Sequence, residues 1–224
     1  MTQIKVCGLK NDQLFSQLRT LPIDYFGFVF APSKRQIDIQ TAAKLVARIQ
    51  QEFDKSVRCV GVFRNPDWSL LAEIIENVAL DVIQLHGDET PALCLQLKQT
   101  YNKKIMKVFS LQSGTQVVDI IEAAERYIDV MDMMLIDTHD PQYGGGSGKT
   151  FRWEIIPEIH DWCKSRQIPL FVAGGLEADN VQSLLQDYSL NGVDVSSGVE
   201  HEGEKHFVKI KNFVERVRAY DYSS

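Results

Sequence analysis

Apolar residues along the chain gather into eight short runs, each followed by a longer amphipathic stretch. The runs are Ile4–Gly8, Tyr25–Phe30, Val57–Phe63, Asp81–Gly87, Lys103–Ser110, Met133–Thr138, Pro169–Gly175 and Gly192–Gly198. They are mostly β-branched or aromatic and lack a polar face, the pattern of strands buried on both sides. The stretches between them are helix-compatible: Thr41–Phe53, Asp67–Asn77, Glu89–Thr100, Thr115–Tyr127, Trp153–Arg166, Asp179–Asp187 and Phe207–Ala219, with a shorter first helix over Asp12–Thr20 that ends near Pro22. Asn65-Pro66-Asp67 and Thr90-Pro91 place proline and acidic groups where a first helical turn accepts them.

Eight β–α units of about 28 residues are long enough for parallel crossovers, and eight is the number that closes a parallel barrel. The predicted fold is α/β, a single (β/α)8 TIM barrel spanning residues 1–224 as one domain. A doubly wound open sheet is the competitor. It calls for a glycine-rich turn after the first strand, where this chain has Cys7-Gly8-Leu9-Lys10.

Composition narrows the function. The 224 residues are 44% hydrophobic and 24% charged, with a net charge of -6. Such a chain buries roughly 70% of its unfolded surface and needs no disulfides. The acidic balance argues against nucleic acid as a partner but leaves room for a small anion in a local basic pocket. No apolar run approaches the ~18 residues of a membrane span, and Ile4–Gly8 leaves no room for a signal peptide before it. Four cysteines, Cys7, Cys59, Cys94 and Cys163, show no CxxC pairing. That suits a reducing cytoplasm and offers no thiolate metal site. The five histidines have no metal-ligand spacing either. No cofactor or metal is expected, and the chain is expected to be a monomer or a homodimer.

In a (β/α)8 barrel, chemistry lies at the carboxyl ends of the strands. Lys5 and Cys7 are two apart and share a face of the first strand. Cys7 is either a small buried hydrophobe or a base or nucleophile whose pKa Lys5 lowers. Asp137 closes an apolar strand, either capping a turn or serving as a general acid. Arg35, after the second strand, carries a fork suited to a carboxylate, or is a solvated loop charge. Gln84 and His86 end the fourth strand, with His86 a ligand, a hydrogen-bond donor or a satisfied core histidine. Together with Lys5 and Arg35, Gln84 and His86 are the candidate substrate-binding residues. Gly174 and Gly175 close strand seven, and Asp194, Ser196, Ser197 and Gly198 close strand eight, where such barrels commonly hold phosphate. Tyr143 to Thr150 resembles a phosphate loop, but Tyr143 stands where the Walker pattern needs glycine, so a glycine-rich active-site loop is the expected reading.

These residues, taken together, resemble the phosphoribosylanthranilate isomerase family. The matching segments include Ile4-Lys5-Val6-Cys7-Gly8, Gly27-Phe28-Val29-Phe30, Val60-Gly61-Val62-Phe63, Gln84-Leu85-His86-Gly87-Asp88-Glu89 and Leu135-Ile136-Asp137. They continue through Gly145-Gly146-Ser147-Gly148-Lys149-Thr150-Phe151, Ala173-Gly174-Gly175-Leu176 and Gly192 to Glu200, in the family's order along nearly the whole chain. The resemblance implies a TIM barrel and a cofactor-free Amadori rearrangement. The implied substrate is a small sugar phosphate, N-(5-phosphoribosyl)anthranilate, and the product 1-(2-carboxyphenylamino)-1-deoxyribulose 5-phosphate. It also implies Cys7 as general base, Asp137 as general acid, Arg35 against the anthranilate carboxylate, and Gly174-Gly175 with Ser196-Ser197-Gly198 as the phosphate cradle. The chain departs from the family's pattern at Lys34, where many members have proline, and at Arg152. A histidine-pathway isomerase is the nearest rival, but that design resembles one with aspartate ending strand one, where Cys7 stands. Two more distant rivals are a P-loop nucleotide module around Gly148-Lys149-Thr150 and a catalytically inactive scaffold barrel.

Overall fold

The computed structural model of the protein describes residues 1–111, 114–137 and 153–223. Eight parallel strands close into a barrel in chain order: β1 (Gln3–Cys7), β2 (Tyr25–Val29), β3 (Arg58–Phe63), β4 (Val82–Leu85), β5 (Lys104–Ser110), β6 (Met133–Asp137), β7 (Leu170–Ala173) and β8 (Gly192–Val195). β8 pairs back onto β1, with Lys5 opposite Asp194. The helices are α1 (Phe15–Leu18), α2 (Ile39–Glu52), α3 (Trp68–Asn77), α4 (Pro91–Tyr101), α5 (Val117–Glu125), α6 (Ile156–Ser165), α7 (Val181–Asp187) and α8 (Phe207–Ser223). The (β/α)8 expectation is met, with most element ends moved by one to three residues. The glycine-rich segment 143–150 and Thr138 lie outside the described residues.

The apolar runs read as they do because both strand faces are buried. On β1, Ile4 and Val6 face the helices, while Lys5 and Cys7 face the barrel interior with Val60, Met106, Leu135 and Phe171. Helix starts follow local chemistry. Asp38, Asp67 and Thr90 accept from the backbone N–H groups of Thr41, Leu70 and Leu93, and Pro91 occupies the first helical position of α4. Asp67 and Thr90 thus precede their helices as caps.

A fourfold device secures the amino-terminal face. The residue before each even strand caps the backbone of the odd strand beside it. Asp24 accepts from Ile4 N at 2.7 Å, Asp81 from Cys59 N at 2.7 Å, Asp132 from Ile105 N at 2.7 Å, and Asn191 from Leu170 N at 2.8 Å. Asp81, expected to open a strand, lies outside it for this reason. α8 joins the same face through Arg218, whose guanidinium donates to Thr2 O, Pro22 O and Asp24.

Glu200–His201 (β9) and Glu204–Lys205 (β10) form a small antiparallel hairpin beyond β8, over the carboxyl end of the barrel. The apolar pattern does not signal it, since each strand has two residues and neither is hydrophobic.

The caps generate a prediction. Asp81→Ala strands the N–H of Cys59, a residue 1% exposed, so stability falls by about 1–3 kcal/mol. Urea unfolding measures it, and an unchanged midpoint would refute the capping role.

Candidate active site

The carboxyl ends of the strands carry the polar residues, each positioned by a strand end or the turn after it. Lys5, from β1, is fully buried inside the barrel, and its Nζ donates to Asp194 Oδ2 at 2.8 Å. Burial works to lower the Lys5 pKa, but Asp194 and the neighbouring Cys7 outweigh it, so Lys5 keeps its proton. The strand-end pattern puts Asp194 among the phosphate contacts. It is instead the partner of Lys5, and a buried carboxylate would repel a phosphate. Lys5, expected to touch substrate, is enclosed by this pairing.

Cys7 lies one layer above Lys5, 7% exposed. Gly27 sits opposite on β2, where a Cβ would stand 2.7 Å from the Cys7 sulfur, so only glycine leaves the thiol its space. The two-residue spacing predicts that Lys5 lowers the Cys7 pKa. Its charge does act in that direction, as does Lys205, but burial is larger and Asp194 works against them. The thiol is pushed above its ordinary value. The main physical reason is burial of the thiol, and Asp194, the partner of Lys5, adds to it.

Across the mouth, Asp137 ends β6 and lies 3.4 Å, through Oδ2, from His86 Nε2. His86 is therefore a rim residue and not a core histidine. Its loop is held from below by Glu89, whose carboxylate accepts from Asn65 N and Gly87 N and pairs with Lys107 at 3.0 Å. Lys107 also donates to the carbonyls of Leu85 and Gly87. Gln84 is 2% exposed, points into the interior, and its Oε1 has no hydrogen-bond partner among the described residues.

The turns after β7 and β8 meet. Gly174 and Gly175 have φ of +95° and +63°, conformations that favour glycine. A Cβ on Gly198 would stand 1.9 Å from Leu176 O, so the two loops touch only because position 198 has no side chain. Ser196 donates its hydroxyl to Cys7 O at 3.1 Å and so ties strand eight's loop to strand one. Ser197 is exposed, on a 3-10 turn over Ser197–Val199.

Arg35 is not a solvated loop charge. Its Nε and Nη2 grip the two oxygens of Glu200 at 2.6 and 2.9 Å. Lys205 Nζ reaches Glu200 Oε1 at 2.8 Å and Ser196 O at 3.0 Å. Burial works to raise the Glu200 carboxyl, but Arg35 and Lys205 outweigh it and hold it down at about 2. Lys34 reaches Glu200 only at 3.8 Å and is largely exposed. Sequence reasoning does not single out Glu200 or Lys205. The one signal in the chain is a carboxylate directly after the serine–glycine turn.

A family model described as N-(5'phosphoribosyl)anthranilate (PRA) isomerase matches residues 4–216. The chain belongs to the N-(5'-phosphoribosyl)anthranilate isomerase family. The N-(5'-phosphoribosyl)anthranilate isomerase of Brevibacillus brevis is 41% identical over 224 residues, covering 100% of this chain and 97% of that one. Phosphoribosyl anthranilate isomerase from Thermotoga maritima, a solved structure, superposes with a TM-score of 0.80 at 35% identity, over 98% of this chain and 100% of that one. Another solved phosphoribosyl anthranilate isomerase was crystallised with reduced 1-(o-carboxyphenylamino)-1-deoxyribulose 5-phosphate. It is 32% identical with a TM-score of 0.77, over 98% of this chain and 100% of that one.

The contact between the last two loops is testable. Gly198→Ala forces the Leu176 carbonyl away and should cost about 1–3 kcal/mol of stability, as overpacking does. A wild-type denaturation midpoint for this variant would show that the loops do not touch as described.

Proposed function

We propose that the protein isomerises N-(5-phosphoribosyl)anthranilate to 1-(2-carboxyphenylamino)-1-deoxyribulose 5-phosphate in tryptophan biosynthesis, with residues 1–224 acting as one barrel domain. The observation that carries the reading is the division of labour at the mouth: a thiol over a buried ammonium on one side and a carboxyl beside an imidazole on the other. Arg35 and the glycine turns after β7 and β8 flank them. The substrate has a matching carboxylate and phosphate at its two ends. Four buried free cysteines fit a reducing cytoplasm as the place of work.

The chemistry needs two proton carriers on separate atoms. Asp137, protonated, donates to the furanose ring oxygen, and the ring opens to an iminium ion. That cation acidifies the C2 proton, and the Cys7 thiolate removes it. The resulting enolamine takes a proton at C1 and loses one from the C2 hydroxyl, giving the aminoketone. Atoms and charge balance, because the step is an isomerisation. His86 orients the Asp137 carboxyl. Gln84 Oε1 offers an acceptor to a substrate hydroxyl. Arg35 meets the anthranilate carboxylate, while Gly174, Gly175, Ser197 and Gly198 hold the phosphate through backbone N–H groups and a hydroxyl.

The direct test generates phosphoribosylanthranilate in situ and follows loss of its fluorescence with purified protein. Turnover is expected, and its absence would overturn the reading. Cys7→Ser presents a hydroxyl far harder to deprotonate, so kcat should fall at least ~100-fold. Wild-type turnover in that variant would remove Cys7 from the mechanism.

The pH profile carries a sign. The productive form pairs protonated Asp137 with the Cys7 thiolate, against ordinary values of ~3.9 and ~8.5. With burial pushing Cys7 upward, kcat/KM is bell-shaped, and its alkaline limb follows the thiol's titration while its acidic limb follows the carboxyl's. Asp137→Asn removes the group that must stay protonated, so the residual rate should keep rising with thiolate, with no alkaline fall. A wild-type rate and an unchanged alkaline limb in that variant would assign the acid to another residue, with His86 next.

A further inference from the structure

Arg35 has five N–H donors but gives only two to Glu200. Those two, on Nε and Nη2, form the side-on edge of the guanidinium. The end-on edge, Nη1 with the second N–H of Nη2, carries no hydrogen bond to the described residues. That edge is itself a fork matched to a carboxylate. A free arginine side chain samples many rotamers and offers either edge, so ordering it on binding costs entropy. Here the choice is made before any ligand arrives.

Three features hold it. Glu200, with only 7% of its side chain exposed, takes the side-on edge with both oxygens. Lys205, equally enclosed, binds Glu200 Oε1 at 2.8 Å and the carbonyl of Ser196 at 3.0 Å, so the carboxylate cannot swing away. Gly8 lies under the arginine stem, where a Cβ would stand 2.8 Å from Arg35 Cδ. Lys209 further fixes the Glu200 backbone by donating to its carbonyl at 2.9 Å.

We propose that Glu200, on the β9–β10 hairpin, is a positioning residue that locks Arg35 side-on and so presents its end-on edge to the substrate's aromatic carboxylate. The inference rests on the isomerase reading. Glu200 touches no reacting atom. It acts through Arg35 and makes the hairpin part of the carboxylate-recognition site. Lys205 serves as its brace and links that site to Ser196 and, through the Ser196 hydroxyl, to the Cys7 backbone.

The test is a double-mutant cycle on turnover. Glu200→Gln is isosteric and keeps an oxygen for Lys205 while losing the charged bidentate grip. It should raise KM for phosphoribosylanthranilate about 10-fold, with kcat within about threefold, the split of an interaction made equally in ground and transition states. Arg35→Ala should raise KM by at least as much, about 10-fold or more, and adding Glu200→Gln to it should change KM by less than about twofold, since the two act as one unit. Glu200→Asp, which keeps the charge but shortens the reach, should shift KM in the same direction, and it carries the same cycle if the amide variant does not fold. Independent, multiplying effects in the double variant would overturn the proposal, as would a Glu200→Gln loss confined to kcat or an unchanged KM. Absence of turnover in the wild type would instead overturn the isomerase reading beneath it.

Discussion

The interior of the barrel is organised around one buried ion pair, Lys5 with Asp194. The two residues face each other across the β1–β8 seam, the pairing that closes the sheet. Each is nearly devoid of solvent, so neither charge is stable there alone, and removing one partner of such a pair typically costs about 3–5 kcal/mol. The pair therefore makes closure of the barrel and burial of the ammonium depend on one another. It also sets what Cys7 experiences from below. The ammonium beside the thiol is not a free cation but one already matched to a carboxylate.

Above that pair the polar residues form two groups with separate scaffolds. Cys7, Ser196, Lys205, Glu200 and Arg35 are tied together by hydrogen bonds running from β1 through the loop after β8 to the hairpin. Asp137 and His86 form the second group, with the His86 loop stapled to β5 by Glu89 and Lys107. The proposed isomerase reading puts the substrate, with an anion at each end, between the two groups. In the proposed mechanism the proton carriers stand on rigid strands, while turns and the hairpin carry the groups proposed to recognise the anions.

Much of this is legible in the chain. Strands buried on two faces leave continuous apolar runs, so all eight appear, and their polar ends point to Cys7, Arg35, Asp137 and the two glycine turns. Element ends are less legible for local reasons. Asp81 and Asp132 look like strand openings or loop residues, because nothing nearby reveals that their oxygens cap Cys59 and Ile105. Ser196 to Gly198 continues the run of β8 in sequence but leaves the sheet to meet Leu176. Pairings far apart in the chain are not legible at all. Arg35 and Glu200 are 165 residues apart, and Lys5 and Asp194 are 189 apart. The expected direction for Cys7 is reversed chiefly by burial of the thiol, with Asp194 adding to it, and neither the depth of Cys7 nor the partner of Lys5 can be read from the two-residue spacing.

The state of that thiol tests the account most directly. Burial also pushes Cys59 and Cys163 up to about 12 and Cys94 to about 11, and all three are common to the wild-type protein and a Cys7→Ser variant. The difference in ultraviolet thiolate absorbance between wild-type protein and Cys7→Ser, followed against pH without substrate, isolates Cys7. The account predicts a midpoint above the ~8.5 of an unperturbed cysteine, because burial outweighs a lysine committed to Asp194. A midpoint below that value would mean that Lys5 acts on Cys7 as an unpaired charge, and would contradict the account.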